Sequence, residues 1–460
     1  MIRALVLAML ALAAAPSAAD TAVGAAGLPE ARARPMKALL LALTLLAGLP
    51  AAVQAGEPDA TQPAYAVDLR GSDGGFRWQG RETISITNPG AAPLGAVLVR
   101  LWGNGANRCA RPRWVVISDP SGGVLGDPTR RRCTAVRVKL DAPIAPGARG
   151  SVSFDVDIRV PRHQRDRFGR GGEGVALLSN AIPAIAHREQ ARWRLDRWFG
   201  EGEAWTYPAA DWRVRLRAPE RVRIAAPGVL QPDGSRLLLD GRDYSFAAGA
   251  LRRASAEVAG VDVTAWAPRA APREKLRKAL EVTKARLPQL VELFGPFGWP
   301  DLQVVVTEST AMEHSALIMT PPDGYIVVHE LAHEWWFGSV GGDQAESPWL
   351  DEGFATYAEE AVLGQKPWCR RPGPDAGLTS RGTDFWRHRL IRYGVVYFEG
   401  ACLLDLIERR MGRPVFRAAL RDYAIANRHG WSTEAEFRAA MDAASPRGLG
   451  DLWRRFGVAQ

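Results

Sequence analysis

Five residues, His329-Glu330-Leu331-Ala332-His333, constrain this chain more than any other stretch. Their H-E-x-x-H spacing works only on a helix, where positions four apart share one face and both imidazoles reach the same ion. The glutamate beside the first histidine can then take a proton from a water held by that ion. Alone, the pattern also fits a surface helix that happens to carry two histidines. The next stretch of chain weighs against that. Trp349-Leu350-Asp351-Glu352-Gly353-Phe354-Ala355-Thr356-Tyr357 places Glu352 nineteen positions after His333. Two histidines and one carboxylate leave the fourth position of a tetrahedral zinc open to water. Residues 337–348 are rich in glycine and polar side chains and read as a loop. Residues 351–363 have helical composition, so a helix–loop–helix brings Glu352 back to the histidines. The expected metal ligands are His329, His333 and Glu352, for one Zn2+ per chain, with Glu330 as the base.

The 460 residues are enough for about three domains. A hydrophobic content of 47% with 24% charged residues excludes wholesale disorder. The net charge of +9 comes mostly from scattered arginines. No nucleic-acid motif accompanies it, so a solvated basic surface is expected rather than a nucleic-acid partner. The first 55 residues read as a leader. Residues 2–19 are apolar and end in Ser17-Ala18-Ala19. A second, better-formed pattern starts at Met36-Lys37, continues through an apolar run at 38–49 and ends in Val53-Gln54-Ala55. A basic start, a short apolar run and a small-residue end make a secretory signal peptide. The expectation is a signal peptide at 36–55, cleaved after Ala55, with translation starting at Met36. That makes the protein exported, to the periplasm or beyond the cell. No later segment is long enough to span a bilayer. Export permits disulfides among Cys109, Cys133, Cys369 and Cys402. Three connectivities are open, among them Cys109–Cys133 with Cys369–Cys402.

From about Tyr65 to Val258 the chain alternates apolar and polar residues in short runs, such as 83–87, 96–101 and 152–156, with Gly and Pro between them. That predicts an antiparallel sheet domain. A strand is expected next, at 261–266. A helix over 272–294 comes after it, with Pro288 as a kink, and then a strand at 302–306. A Pro-Pro-Asp-Gly turn at 321–324 precedes the metal helix. After Asp384 the chain reads as consecutive helices, one of them opened by a capping box of Thr433 and Glu436.

The segments HELAHEWW and PWLDEGFATYAEE resemble the gluzincin metallopeptidases of the aminopeptidase N and leukotriene hydrolase family, over roughly residues 65–456. The resemblance implies a multidomain fold, β then α+β. An N-terminal antiparallel β saddle domain (56–258) precedes a thermolysin-like catalytic domain with a helical C-terminal part (259–460), in a short form without a large C-terminal domain. It implies zinc on His329, His333 and Glu352, and Glu330 as general base. The family's oxyanion tyrosine lies in a Y-x-K-G context, matched here by Tyr397-Phe398-Glu399-Gly400, with glutamate in place of the basic residue. Tyr397 is therefore the implied oxyanion donor and Tyr393, one turn earlier, the reserve. The family's G-x-M-E-N motif, whose glutamate binds the substrate's free amine, is met by Thr310-Ala311-Met312-Glu313-His314. Glu313 is kept, but threonine and histidine replace glycine and asparagine. Asp351, Glu359 or Glu360 can accept the histidines' second N–H groups. Glu334 stands where glutamine is common, and Trp335, Trp336 and Phe337 read as core.

The implied function is an exported zinc aminopeptidase acting on peptides with a free N-terminus. Three alternatives stay open: an endopeptidase of the same fold, to which the altered edge motif points; a non-catalytic binding or scaffold protein; and an envelope or nucleic-acid binder acting through the net charge of +9 alone.

Overall fold

A 22-residue helix with leucines on one face, α1 (Arg273–Phe294), shows how the chain builds the platform for the histidines. Leu276, Leu280, Leu287, Leu290 and Phe294 recur at helical spacing and are buried. The helix runs continuously through Pro288. It connects strand Val261–Pro268 to strand Asp301–Val306, which pair in parallel. Parallel neighbours need a crossover of this size, and α1 supplies it. Strand Asp301–Val306 is buried along its whole length, as the centre of a parallel arrangement must be. The sheet has five strands, in the order Leu251–Val258, Val261–Pro268, Asp301–Val306, Leu317–Thr320, Met312–His314.

The structure, a computed structural model, describes residues 61–107, 113–126, 133–163, 167–171, 174–189, 192–200, 202, 204–205, 207–308, 310–365, 369, 377–390 and 393–458. All of these fall in one compact unit, Val53–Gln460. The leader expected at 1–55, and Cys109, lie outside the described residues.

Before Leu251 the regular structure of the described residues is strand, apart from short 3-10 turns such as Asp73–Gly75 and Trp102–Asn107. A seven-stranded sheet runs through Arg236–Gly241, Ala210–Arg217, Ala64–Ser72, Arg77–Thr87 and Arg149–Arg159, and two four-stranded sheets accompany it. Alternation is clear in Arg149–Arg159, where Val152, Phe154, Val156 and Ile158 point inward. The expectation of a purely antiparallel sheet is corrected at one pair. Ala64–Ser72 and Ala210–Arg217 run parallel, from Ala64↔Asp211 to Arg70↔Arg217. The two strands are far apart in sequence, which leaves ample chain for the return connection that a parallel pair requires. A domain boundary between Val258 and Ala259 was also expected. That position is the tip of a hairpin pairing Leu251↔Pro268 through Val258↔Val261, and both its strands belong to the five-stranded sheet.

The helical part comprises α2 (Gly324–His333), α3 (Trp349–Leu363), α4 (Thr383–Trp386), α5 (Val395–Met411), α6 (Arg413–Ala426), α7 (Glu434–Ala444) and α8 (Gly450–Phe456). The capping box is present: Thr433 Oγ1 accepts from Glu436 N, and Glu436 Oε2 accepts from Thr433 N at 2.8 Å. A disulfide joins Cys369 to Cys402, and Cys133 is disulfide-bonded as well. No helix among the described residues is long and apolar enough to cross a membrane.

Candidate active site

Asp323 starts the helix that carries the histidines. Its carboxylate accepts from Tyr325 N at 3.0 Å, covering an N–H that the first turn leaves without a partner. From there α2 places His329 and His333 one turn apart, their rings 4.7 Å between centroids. The chain then passes into a π-helical turn, Glu334–Ser339, so the expected loop over 337–348 begins only after Ser339, with Gly341–Gly342 a two-residue strand within it. Buried Arg242 holds that turn, donating from Nε to Phe337 O at 2.7 Å and from Nη2 to Ser339 O at 3.2 Å. Trp335, Trp336 and Phe337 are buried, as expected of core residues.

Helix α3 brings the third donor. It begins at Trp349, so Asp351 and Glu352 both lie in its first turn. Glu352 Oε2 is 3.0 Å from His329 Nε2 and 3.5 Å from His333 Nε2. The outer nitrogens are engaged from the same helix. His329 Nδ1 is 2.5 Å from Glu359 Oε1, and His333 Nδ1 meets Asp351 Oδ1. Glu359 is seven residues, or two turns, beyond Glu352 and so shares its face.

These contacts decide what the centre can hold. An Nδ1–H given to a carboxylate leaves the neutral imidazole with a lone pair on Nε2. Two such lone pairs aimed at one carboxylate oxygen repel unless a proton or a cation lies among them. The electrostatics agree. Burial would lower the His329 pKa, yet Glu359 and Glu352 outweigh it and push it up to about 10. His333 is raised as well, burial being outweighed by Asp351, Glu313 and Glu352. Glu352 is held well below its ordinary value by the two imidazoles despite its burial. The donors are two nitrogens and one oxygen, converging on a point that favours positive charge and already oriented by outer carboxylates. That set fits zinc with one position open.

Tyr397 reaches the group from α5, its hydroxyl donating to Glu352 Oε1. A pair of glycines permits this. A Cβ on Gly353 would stand 2.9 Å from Gly400 Cα, so α3 and α5 touch backbone to backbone one turn beyond Tyr397. Alanine at 353 would gain roughly 1 kcal/mol of helix propensity but force the helices apart at a cost of about 1–3 kcal/mol. Gly353→Ala is therefore expected to lower stability only slightly while reducing turnover, because Tyr397 moves with α5. Thermal melts alongside kcat test this, and a variant with wild-type kcat rejects it. Tyr393, the reserve candidate, is buried with its hydroxyl packed against Gly202 and its ring edge-on to Phe199.

Glu313 arrives on the short edge strand Met312–His314. It is 3% exposed and accepts from Gln344 Nε2 at 3.4 Å. Its carboxylate groups with Glu330 and His333, ligand atoms within 4.8 Å of one another. His329, His333 and Glu352 form the other such group. The fold thus gathers all six residues singled out in the sequence. Sequence reasoning missed Gln344, which also donates from Nε2 to Asp351 Oδ2 at 2.5 Å and so links Glu313 to the partner of His333. A lone glutamine in a loop carries no spacing signal. It also missed the buried partners of His314, Asp243 and Ser179.

The fold matches that of solved zinc metallopeptidases, and the donor set suits zinc. No family model matches the chain. Relatives and solved structures point one way. An M1 zinc metallopeptidase from Deinococcus radiodurans superposes with a TM-score of 0.61 at 18% identity, over 88% of this chain and 95% of that one. A mutant of it bound to a Tyr-Ser-Ala substrate gives 0.63, also at 18% identity, over 87% and 95%. In sequence, Aminopeptidase N of Streptomyces lividans is 24% identical over 144 residues, 27% of this chain and 17% of that protein. Aminopeptidase RNPEPL1 of Mus musculus is 29% identical over 82 residues, 15% of this chain and 11% of that protein. The chain therefore resembles the aminopeptidase N group of zinc metallopeptidases. The matches span less than a quarter of the curated relatives' own length.

Proposed function

We propose that the protein is a zinc aminopeptidase that hydrolyses the first peptide bond of substrates with a free N-terminus. One observation carries this reading: Glu313 lies beside Glu330 and His333, at the edge of the His329–His333–Glu352 group. Five carboxylates, Glu313, Glu330, Asp351, Glu352 and Glu359, surround two imidazoles. A dication offsets part of that charge, and a substrate ammonium suits what remains at Glu313. We place the thermolysin-like catalytic half from the hairpin beginning at Leu251, behind a β-rich N-terminal domain.

His329, His333 and Glu352 would hold the zinc, which would supply a Lewis acid for the scissile carbonyl and for water. Glu313 pairs with the N-terminal ammonium and sets the first peptide bond over the centre. Glu330 takes a proton from the attacking water and delivers it to the leaving amine. Tyr397 turns its hydroxyl from Glu352 to the oxygen that gains charge as the carbonyl becomes tetrahedral. Asp351 and Glu359 keep the imidazoles oriented by holding their Nδ1–H groups.

A set of aminoacyl amides assayed beside their N-acetyl forms tests this reading. Turnover of the free-amine series alone, abolished by a chelator, is expected. Equal turnover of both series would favour an endopeptidase, the reading to which Thr310 and His314 otherwise point. Tyr397→Phe is expected to lower kcat by about 10²–10³ with little change in KM, the effect of losing one oxyanion donor. A KM effect with kcat retained would instead make Tyr397 a binding residue.

We also propose export, with residues 1–55 as leader and 36–55 as signal peptide. The Cys369–Cys402 disulfide and the bonded state of Cys133 suit an oxidising compartment. N-terminal sequencing of the mature protein checks this, with Gly56 expected as its first residue.

A further inference from the structure

The edge strand that presents Glu313 is only three residues long. It is held in its sheet by pairing with Leu317–Thr320, from Met312↔Met319 to His314↔Leu317. Successive strand residues point to opposite faces. Glu313 faces Gln344 and the metal group, so His314 turns the other way, into the β-rich part of the chain.

There His314 is fixed on both ring nitrogens. Nδ1 is 2.6 Å from Asp243 Oδ2, and Nε2 is 2.9 Å from Ser179 Oγ. Asp243 also accepts from Ser315 N at 2.9 Å and from Ser245 Oγ at 2.8 Å. Ser245 Oγ in turn accepts from Asn180 N at 3.0 Å, and Ser315 Oγ accepts from Arg242 N at 2.9 Å. Two segments, 179–180 and 242–245, thus grip residues 314 and 315. Burial would raise the Asp243 pKa, but His314, Ser315 N–H and the Ser245 hydroxyl hold it below the ordinary value. Asp243 is an anion, so His314 Nδ1 carries the proton donated to it.

The order Ser179–His314–Asp243 has the connectivity of a nucleophilic triad. Ser179 is 2% exposed, His314 1% and Asp243 2%, so a substrate carbonyl has no approach to the hydroxyl. The arrangement serves as a strut. A single asparagine at position 314 is too short to span Asp243 and Ser179 together.

We propose that His314, braced by Asp243 and Ser179, is a positioning residue that sets the Glu313 carboxylate at the substrate's amine, so that selection of a free N-terminus depends on this buried strut. The inference rests on the aminopeptidase reading of the metal centre. Gln344 Nε2 meets the Glu313 carboxylate itself at 3.4 Å; the strut fixes the three-residue strand that carries it, and such pairing depends on placement to within ~1 Å.

The test is a double-mutant cycle on the full chain with an aminoacyl amide. His314→Ala and His314→Asn are each combined with Glu313→Gln, and zinc content and melting curves are recorded for every variant. Either change at His314 is expected to raise KM about tenfold, with kcat within about threefold and zinc retained. In the Glu313→Gln background the same change is expected to move KM by less than about twofold. Ser179→Ala, which keeps the His314–Asp243 contact, is expected to raise KM about threefold and serves if the His314 variants do not fold. Equal effects in both backgrounds, or loss confined to kcat or to zinc content, overturn the inference and leave the aminopeptidase reading standing. A wild-type enzyme that cleaves N-acetyl and free-amine substrates equally removes both.

Discussion

Glu330→Gln is expected to lower kcat by about 10³-fold, roughly 4 kcal/mol of transition-state stabilisation, while leaving the fold and the zinc in place. The side chain is buried beside Glu313 and His333 and is not among the three converging ligands. An amide of nearly the same shape fills the same space but cannot accept the water's proton. Stability is expected to stay level or rise slightly. The change removes one negative charge from a cluster of five carboxylates, and like charges this close repel. The variant should therefore bind a free-amine peptide about as well as the wild type does, because Glu313, Tyr397 and the ligands are untouched. The checks are single-turnover kinetics, metal analysis and binding of an uncleaved dipeptide. Turnover within about threefold of wild type would falsify the assignment of Glu330 as base. Loss of zinc together with activity would instead make it a structural member of the centre.

The part of this centre that was legible in the sequence came from local spacing. His329 and His333 are four apart on one helix. Asp351 and Glu352 start the next helix, and Glu359 lies two turns on, so their common face could be read from helical period alone. Tyr397 needed a family motif, and its reach to Glu352 depends on the Gly353–Gly400 contact between helices. Residues that act from a distance in the chain left no such trace. Asp243 precedes its partner His314 by 71 residues, and Ser179 precedes it by 135. Period-two alternation marked the strands but did not state their partners. That is why the parallel pairing of Ala64–Ser72 with Ala210–Arg217 was missed and why the Leu251–Val258 strand was assigned to the wrong sheet. Alternation specifies which face is buried; the neighbour is chosen by long-range packing. His314 shows the same limit. As a departure from a motif it points, with Thr310, only toward an endopeptidase. In the fold it binds that strand to the β-rich part at two points.

Zinc removal is expected to abolish turnover, and re-addition of one equivalent per chain to restore it. The metal should also contribute to stability in a way that depends on pH. At free zinc about a thousandfold above Kd, binding adds about 4 kcal/mol to the folded state. For a unit of about 400 residues that is a rise in Tm of about 5 °C. Without metal, His329 has its pKa pushed up to about 10 by Glu359 and Glu352, against the lowering effect of burial. At neutral pH the metal-free centre therefore carries a proton where the ion would sit, and zinc must displace it from Nε2. The raised imidazole pKa stabilises the metal-free fold fully below its unfolded value of about 6.5, and that contribution is lost as pH climbs toward 10. Apparent zinc affinity should thus strengthen about tenfold per pH unit for each proton released. The Tm difference between zinc-bound and metal-free protein should widen from pH 6 to pH 9. Titration calorimetry in two buffers of different ionisation enthalpy counts the protons, and paired melts track the gap. A Tm gap that stays constant across this range, with no proton released, would mean that the imidazoles are neutral in the metal-free protein and that Glu352 is an anion turned away from them there.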